Sequence, residues 1–323
     1  MDTAAKVGRK AIRIANGIVN TVVLIAILLL LAFGSYAIWD SSQVYGAADA
    51  VHYATYKPTT EGGDLSFQDL QAINPEDISW LTVYGTHIDY PVAQGPDNMK
   101  YVNTDAKGQY SLSGAIFLDA GCSPHFSDFN SIIYGHHMEK NTMFGEIGLF
   151  SQKAYFDARE YGSLYYDGRE HGLEFFAFVH TDAYNNSVYH TRITGQGAEQ
   201  AYLDLLMKTA TYTRNDVPVT TDDRIVLLST CSEDSTNGRD ILIGKITDQT
   251  YADPFPTQTA GKANTIPVIS ALPGFWARAS LTVRIMLTAL PLLLILLASI
   301  LIYTKRKRSR KKRAEQSCSE REV

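Results

Sequence analysis

The chain has 323 residues, with 29 basic and 34 acidic side chains, a formal net charge of −5 and three cysteines. That length holds one or two domains, three cysteines are too few for a disulfide-built scaffold, and an acidic balance argues against nucleic acid as a partner. The charge is also unevenly placed. The first 13 residues carry four basic groups and one acidic, and residues 305–323 carry nine and three, which leaves −14 on residues 14–304.

Residues 1–17 read as a short basic N-terminus on the cytoplasmic side. Ile18 to Ile38 follows, 21 residues without a charge, long enough to span a bilayer as a helix. Its end, Gly34-Ser35-Tyr36-Ala37, runs into bulky Ile38-Trp39, a poor cleavage context, so a retained anchor is expected rather than a signal peptide. Residues 39–252 read as one folded domain. Asp40 to about Gly63 is expected to form a helix leading away from the membrane, and Leu65 to Ser79 a short helix closed at Asn74-Pro75. From Trp80 the pattern turns to strands: Trp80–Tyr84, Ile88–Val92, Gly114–Leu118, Ser131–Tyr134, Leu173–His180, Ile225–Thr230 and Ile241–Ile246. Short β-rich runs set off by Gly, Asn and Asp predict a mainly antiparallel barrel or sandwich. Ala198–Ala210 predicts one helix inserted late in the strand series, with Ala201, Tyr202, Leu205 and Leu206 as its apolar face.

Residues 253–280, rich in Pro, Thr, Ala and Gly as far as Pro273, read as a stalk. Leu281–Tyr303 reads as a second span: Arg284 lies one turn in, and from Ile285 there are 19 uncharged residues. Residues 304–323 form a basic tail that opens KRKRSRKKR. Basic residues outside both spans put both termini in the cytoplasm and residues of about 40–280 outside. The tail reads as a stop-transfer anchor that touches anionic lipid.

Cys318 lies in the tail and cannot meet the other two cysteines. Cys122 and Cys231 are both external, where a disulfide between them is one reading. The other is that Cys231 is a free nucleophile. In Arg224–Ile246, RIVLLSTCSEDSTNGRDILIGKI, Cys231 ends one strand-like run and Arg239 opens the next. Two adjacent antiparallel strands would bring them to one loop mouth, where a cation favours the thiolate and an arginine can face an oxyanion. Spacing alone fits equally a small buried hydrophobe at a strand end. In Asn130–Phe144, NSIIYGHHMEKNTMF, His136 follows a strand and a glycine. His137 competes with it, and adjacent strand residues point to opposite faces, so only one of the two can face Cys231.

Leu228-Ser229-Thr230-Cys231 is similar to the Thr-Leu-Ser-Thr-Cys motif of sortases, with Leu227 where that family often has Thr. Tyr134-Gly135-His136 followed by Thr142-Met143-Phe144 resembles the histidine segment of class B sortases, and Ile73 to Asp119 resembles that class along its length. The likeness covers residues of about 70–248. It implies a mainly β fold, a sortase-type closed barrel with a few peripheral helices, here flanked by two transmembrane helices. It implies Cys231 as nucleophile, His136 as general acid/base and Arg239 as catalytic arginine. No metal or other cofactor is implied, and Glu233, two after the cysteine, reads as a solvated loop charge. The implied partners are surface proteins bearing a C-terminal sorting signal, and an amine of a peptidoglycan precursor or cross-bridge. Class B members commonly have one N-terminal anchor, whereas a C-terminal span is more typical of pilin-polymerising sortases, so a pilin lysine is the alternative acceptor. A thiol endopeptidase that uses water is the remaining enzymatic reading, and a catalytically silent membrane scaffold the non-enzymatic one.

Overall fold

The computed structural model describes residues 2–58, 65–138, 141–231 and 237–255. The second span, the tail with Cys318, most of the stalk and Glu233 lie outside the described residues, as does the side chain of Cys231. Residues 42–260 form one compact unit, and the first 41 residues belong to another.

Helix α1 runs from Asp2 to Ala47. Its Ile12–Ala47 portion is long and apolar enough to cross a membrane, and the expected span 18–38 falls inside it. The helix expected over residues 40–63 ends instead at Ala47. The chain breaks into two 3₁₀ turns, Ala50–His52 and Ala54–Tyr56. The Asp49 carboxylate caps the first, accepting from the Val51 N–H at 3.0 Å.

The described residues of the second unit build nine strands. They are β1 (Asp77–Val83), β2 (Asp89–Ala93), β3 (Ile116–Leu118), β4 (Asn130–Tyr134), β5 (Tyr161–Tyr166), β6 (Arg169–Asp182), β7 (Ala210–Thr213), β8 (Arg224–Cys231) and β9 (Gly238–Thr247). The order is β5-β1-β2-β3-β4-β8-β9-β6, and a β5–β6 pairing closes the ring into an eight-stranded barrel. The 14-residue β6 spends its first half on β5 and its second half on β7, which lies outside the ring. The sheet is mainly antiparallel, as expected, with two parallel pairs, β2–β3 and β4–β8. Three helices accompany it: α2 (Leu65–Ile73), α3 (Lys153–Ala158) and α4 (Gln196–Thr209).

Both faces of β8 and β9 are buried. Val226, Leu228 and Leu242 belong to the barrel core, while Ile225, Leu227, Ile241 and Ile243 pack with Tyr202, Leu203 and Leu206 of α4. That is why these strands read as continuous apolar runs rather than alternating ones. Of the expected apolar face of α4, Tyr202 and Leu206 are buried and half-buried Leu205 packs against the same cluster, whereas Ala201 is exposed and Leu203 joins the face instead. Two strands were not anticipated. β5, YGSLYY, needs Gly162 because a Cβ there would meet the Thr82 carbonyl at 2.5 Å. β7 follows α4 directly, so its first residue, Ala210, reads as the last of the helix. β1 begins at Asp77, three residues before the expected start.

Candidate active site

Strands β4, β8 and β9 are consecutive in the barrel, and their pairing sets the site. Tyr134 of β4 is paired with Ser229 of β8, in parallel. The Gly135 N–H continues the ladder by donating to the Ser229 carbonyl at 3.2 Å. His136 and Cys231 are each two residues past that rung. On the other edge of β8, Cys231 is paired directly with Arg239. Adjacent strands lie ~4.8 Å apart, so position 231 is flanked by a histidine and an arginine at one end of the barrel. In the ladder, position 231 shares its parity with Ile225 and Leu227, which pack with α4.

His136 is half-buried and its Nε2 lies 2.9 Å from the Val102 carbonyl. A carbonyl only accepts, so Nε2 is the donor in this contact and Nδ1 is the ring nitrogen left for another partner. Gly114 is packed beneath that carbonyl in a left-handed conformation (φ 58°): a Cβ would meet the Val102 oxygen at 2.6 Å. Arg239 is half-buried, with Nη1 donating to the Gly238 carbonyl at 2.9 Å. The next residue, Asp240, is buried and holds His180 Nδ1 at 2.9 Å.

Beside the site runs an aromatic and polar network. Tyr134 and Tyr189 stack with centroids 6.3 Å apart. The Tyr189 and Ser229 hydroxyls are 2.8 Å apart. The Tyr134 hydroxyl donates to Asp119 at 3.0 Å, and Asn98 donates to the same carboxylate at 2.7 Å. Burial, with the Asp119 carboxylate next, pushes the Tyr134 phenol far up, so it stays a donor. The sequence reading missed Tyr134, Tyr189, Asp119 and the Val102 carbonyl as parts of the site. Tyr134 alone had a legible signal, its parity with His136. Among the described residues no three His, Cys, Asp or Glu side chains gather as a metal-ligand set.

The disulfide reading is corrected by the fold. Cys122 is free and buried, with Sγ 3.9 Å from the Asn130 carbonyl. Asn130 pairs with Ile225, and Cys231 lies six residues further along β8, roughly 20 Å at strand rise. Burial pushes the Cys122 thiol up to about 12, which leaves it protonated and unreactive.

No family model matches the chain. Individual proteins do. It is 32% identical over 205 residues to sortase B of Listeria monocytogenes, covering 62% of this chain and 82% of that one. The crystal structure of sortase B from the type II pilus of Streptococcus pneumoniae is 47% identical, covering 57% of this chain and 99% of that one, with a TM-score of 0.50. The Staphylococcus aureus sortase B–substrate complex is 25% identical over 66% and 99% of the two chains, with a TM-score of 0.57. A closed mainly β barrel, a strand-end cysteine paired with arginine, and this likeness over four-fifths of a curated relative agree: the chain belongs to the class B sortases and is a cysteine transpeptidase.

Proposed function

We propose that Cys231 is the nucleophile, His136 the general acid/base and Arg239 the oxyanion cation, acting on a C-terminal sorting signal. The observation that carries this reading is the register: three adjacent strand ends bring the three positions together at one end of the barrel. The Cys231 thiolate attacks the carbonyl carbon of a Thr–X type peptide bond, and the new oxyanion is held by the Arg239 guanidinium. The tetrahedral intermediate collapses, the C–N bond breaks, and His136 Nδ1 delivers its proton to the departing amine. A thioester on Cys231 remains. An incoming amine attacks it, gives a proton to the same nitrogen, and the thiolate leaves.

The acceptor we propose is an amine of a peptidoglycan precursor or cross-bridge. A second reading, a lysine of a pilin, is favoured by the 47% identity to the pneumococcal pilus sortase. Product masses from one sorting-signal peptide, offered a stem-peptide amine and a pilin-derived lysine peptide in competition, separate the two. A product that incorporates neither amine would contradict both acceptor proposals.

We also propose a two-span arrangement with residues 40–280 outside the cell and both termini inside. It is supported by the apolar α1 and by the basic residues at Lys6 to Arg13 and Lys305 to Arg313. Protease applied to intact protoplasts should remove the domain and leave the 305–313 epitope protected. An epitope cut from outside would refute it.

A further inference from the structure

Tyr90 of β2 is nearly fully buried, and its single hydroxyl serves two distant pieces of chain. It donates to the carbonyl of Ala48, the residue after α1, at 2.9 Å. It accepts the N–H of Met143 at 3.0 Å. Burial pushes this phenol up to about 12, so the donor proton is present at any working pH. Tyr53, from the turn just after Ala48, packs against the Tyr90 ring with centroids 6.5 Å apart.

Met143, whose N–H donates to that hydroxyl, has an unusual backbone. Its φ is 51°, a left-handed conformation that a non-glycine residue adopts only when its surroundings require it. Its side chain is buried in the core. It forms an isolated bridge with His137, and the next N–H, of Phe144, donates to the His136 carbonyl at 3.1 Å. The Phe144 ring in turn fills the space that a Cβ on Gly135 would need. Met143 and Phe144 therefore form the backbone support on which His136 rests, and the Tyr90 hydroxyl anchors that support to the chain leaving α1.

We propose that Tyr90 is a positioning residue for the transpeptidation, tying the segment after α1 to the His136 segment through its hydroxyl. This rests on the reading of His136 as general acid/base. Tyr90 touches no reacting atom; removing its hydroxyl lets the left-handed Met143 relax and moves the imidazole. A displacement of that kind is felt in turnover rather than in substrate affinity.

The test uses the full-length protein in detergent, a sorting-signal peptide and an excess amine. Tyr90→Phe and His136→Ala are compared with the parent for kcat, KM, the pH profile of kcat and thermal melting. Tyr90→Phe should fold, lose about tenfold or more in kcat with KM within about twofold, and show a displaced pH profile. A folded Tyr90→Phe with parental kcat and pH profile would overturn the proposal, whatever its melting temperature, because the hydroxyl would then be structural only. Parental turnover in His136→Ala would instead remove the histidine reading, and the positioning role with it. If Tyr90→Phe fails to fold, p-aminophenylalanine at position 90 replaces it. That side chain keeps a para donor for Ala48 and is a poor acceptor for Met143, and the same two results decide.

Discussion

The two ends of the β4–β8 pair make different environments from the same ladder, and each has a cysteine beside it. At the Asn130–Ile225 end the chain is shut. Cys122 is buried there, Phe126 packs on Tyr166, and the Arg224 guanidinium is spent on the Tyr166 hydroxyl at 2.9 Å. At the Tyr134–Ser229 end half-buried His136 and Arg239 lie on either side of position 231. Exposure and a neighbouring cation make a thiolate, and burial suppresses one. On this reading, the buried Cys122 beside one end of the strand pair stays a thiol, and we propose that Cys231, paired with Arg239 at the other end, is the reactive one.

Replacing the two cysteines by alanine in turn separates the two ends. Cys231→Ala should abolish cleavage and transfer, while Cys122→Ala keeps near-parental turnover and loses about 1 kcal/mol of stability. Comparable loss of turnover in both, by peptide cleavage assay, would mean the closed end matters to the chemistry. Next come the histidines. His136→Ala should lower kcat ~10²-fold or more, on the scale of general acid/base catalysis. His137→Ala should cost far less, and the reverse order would place the wrong imidazole at the open end. Arg239→Lys keeps the charge but loses the planar fork, and a loss of about 2–4 kcal/mol is expected, mostly in kcat. Near-normal turnover in steady-state kinetics would take Arg239 out of the site.

A prediction about stability rather than turnover concerns a group that is buried as Cys122 is. Asp77 is fully buried, and its carboxylate oxygens have no hydrogen-bond partner among the described residues. Burial, then the Asp105 and Glu76 charges, raises it from 3.8 to about 8. Its proton is held more tightly folded than unfolded, so it favours the folded state least at high pH. Its contribution falls as pH rises from about 4 towards 8. Asp77→Asn should therefore melt higher than the parent at pH 8, with the difference shrinking towards pH 4. A pH-independent difference in thermal melts would show that Asp77 does not titrate in the folded protein.

Much of this was legible in the residues, for identifiable reasons. β6, β8 and β9 bury apolar side chains along their length, so they stand out as apolar runs. Cys231 and Arg239 were readable because a short polar loop between two such runs implies a hairpin, and a hairpin implies a rung. β5 was hidden because Gly162 and Ser163 interrupt its pattern, the glycine being demanded by a neighbour 80 residues upstream. The end of α1 was misplaced because nothing local to Asp40–Gly63 reveals that Ala48 is claimed by Tyr90. The support of His136 was illegible for the same reason. It depends on the carbonyl of Val102, the N–H of Phe144 and the hydroxyl of Tyr90, and two of these are backbone groups that every sequence has.

We propose that acyl transfer runs through the Cys231 thiol and never through the buried Cys122. The most direct measurement is peptide mapping by mass spectrometry of the full-length protein, after reaction with a thiol-reactive sorting-signal analogue and no amine. The adduct should fall on the fragment containing Cys231, be lost in Cys231→Ala, and persist in Cys122→Ala. An adduct on Cys122, or undiminished modification in Cys231→Ala, would contradict the assignment.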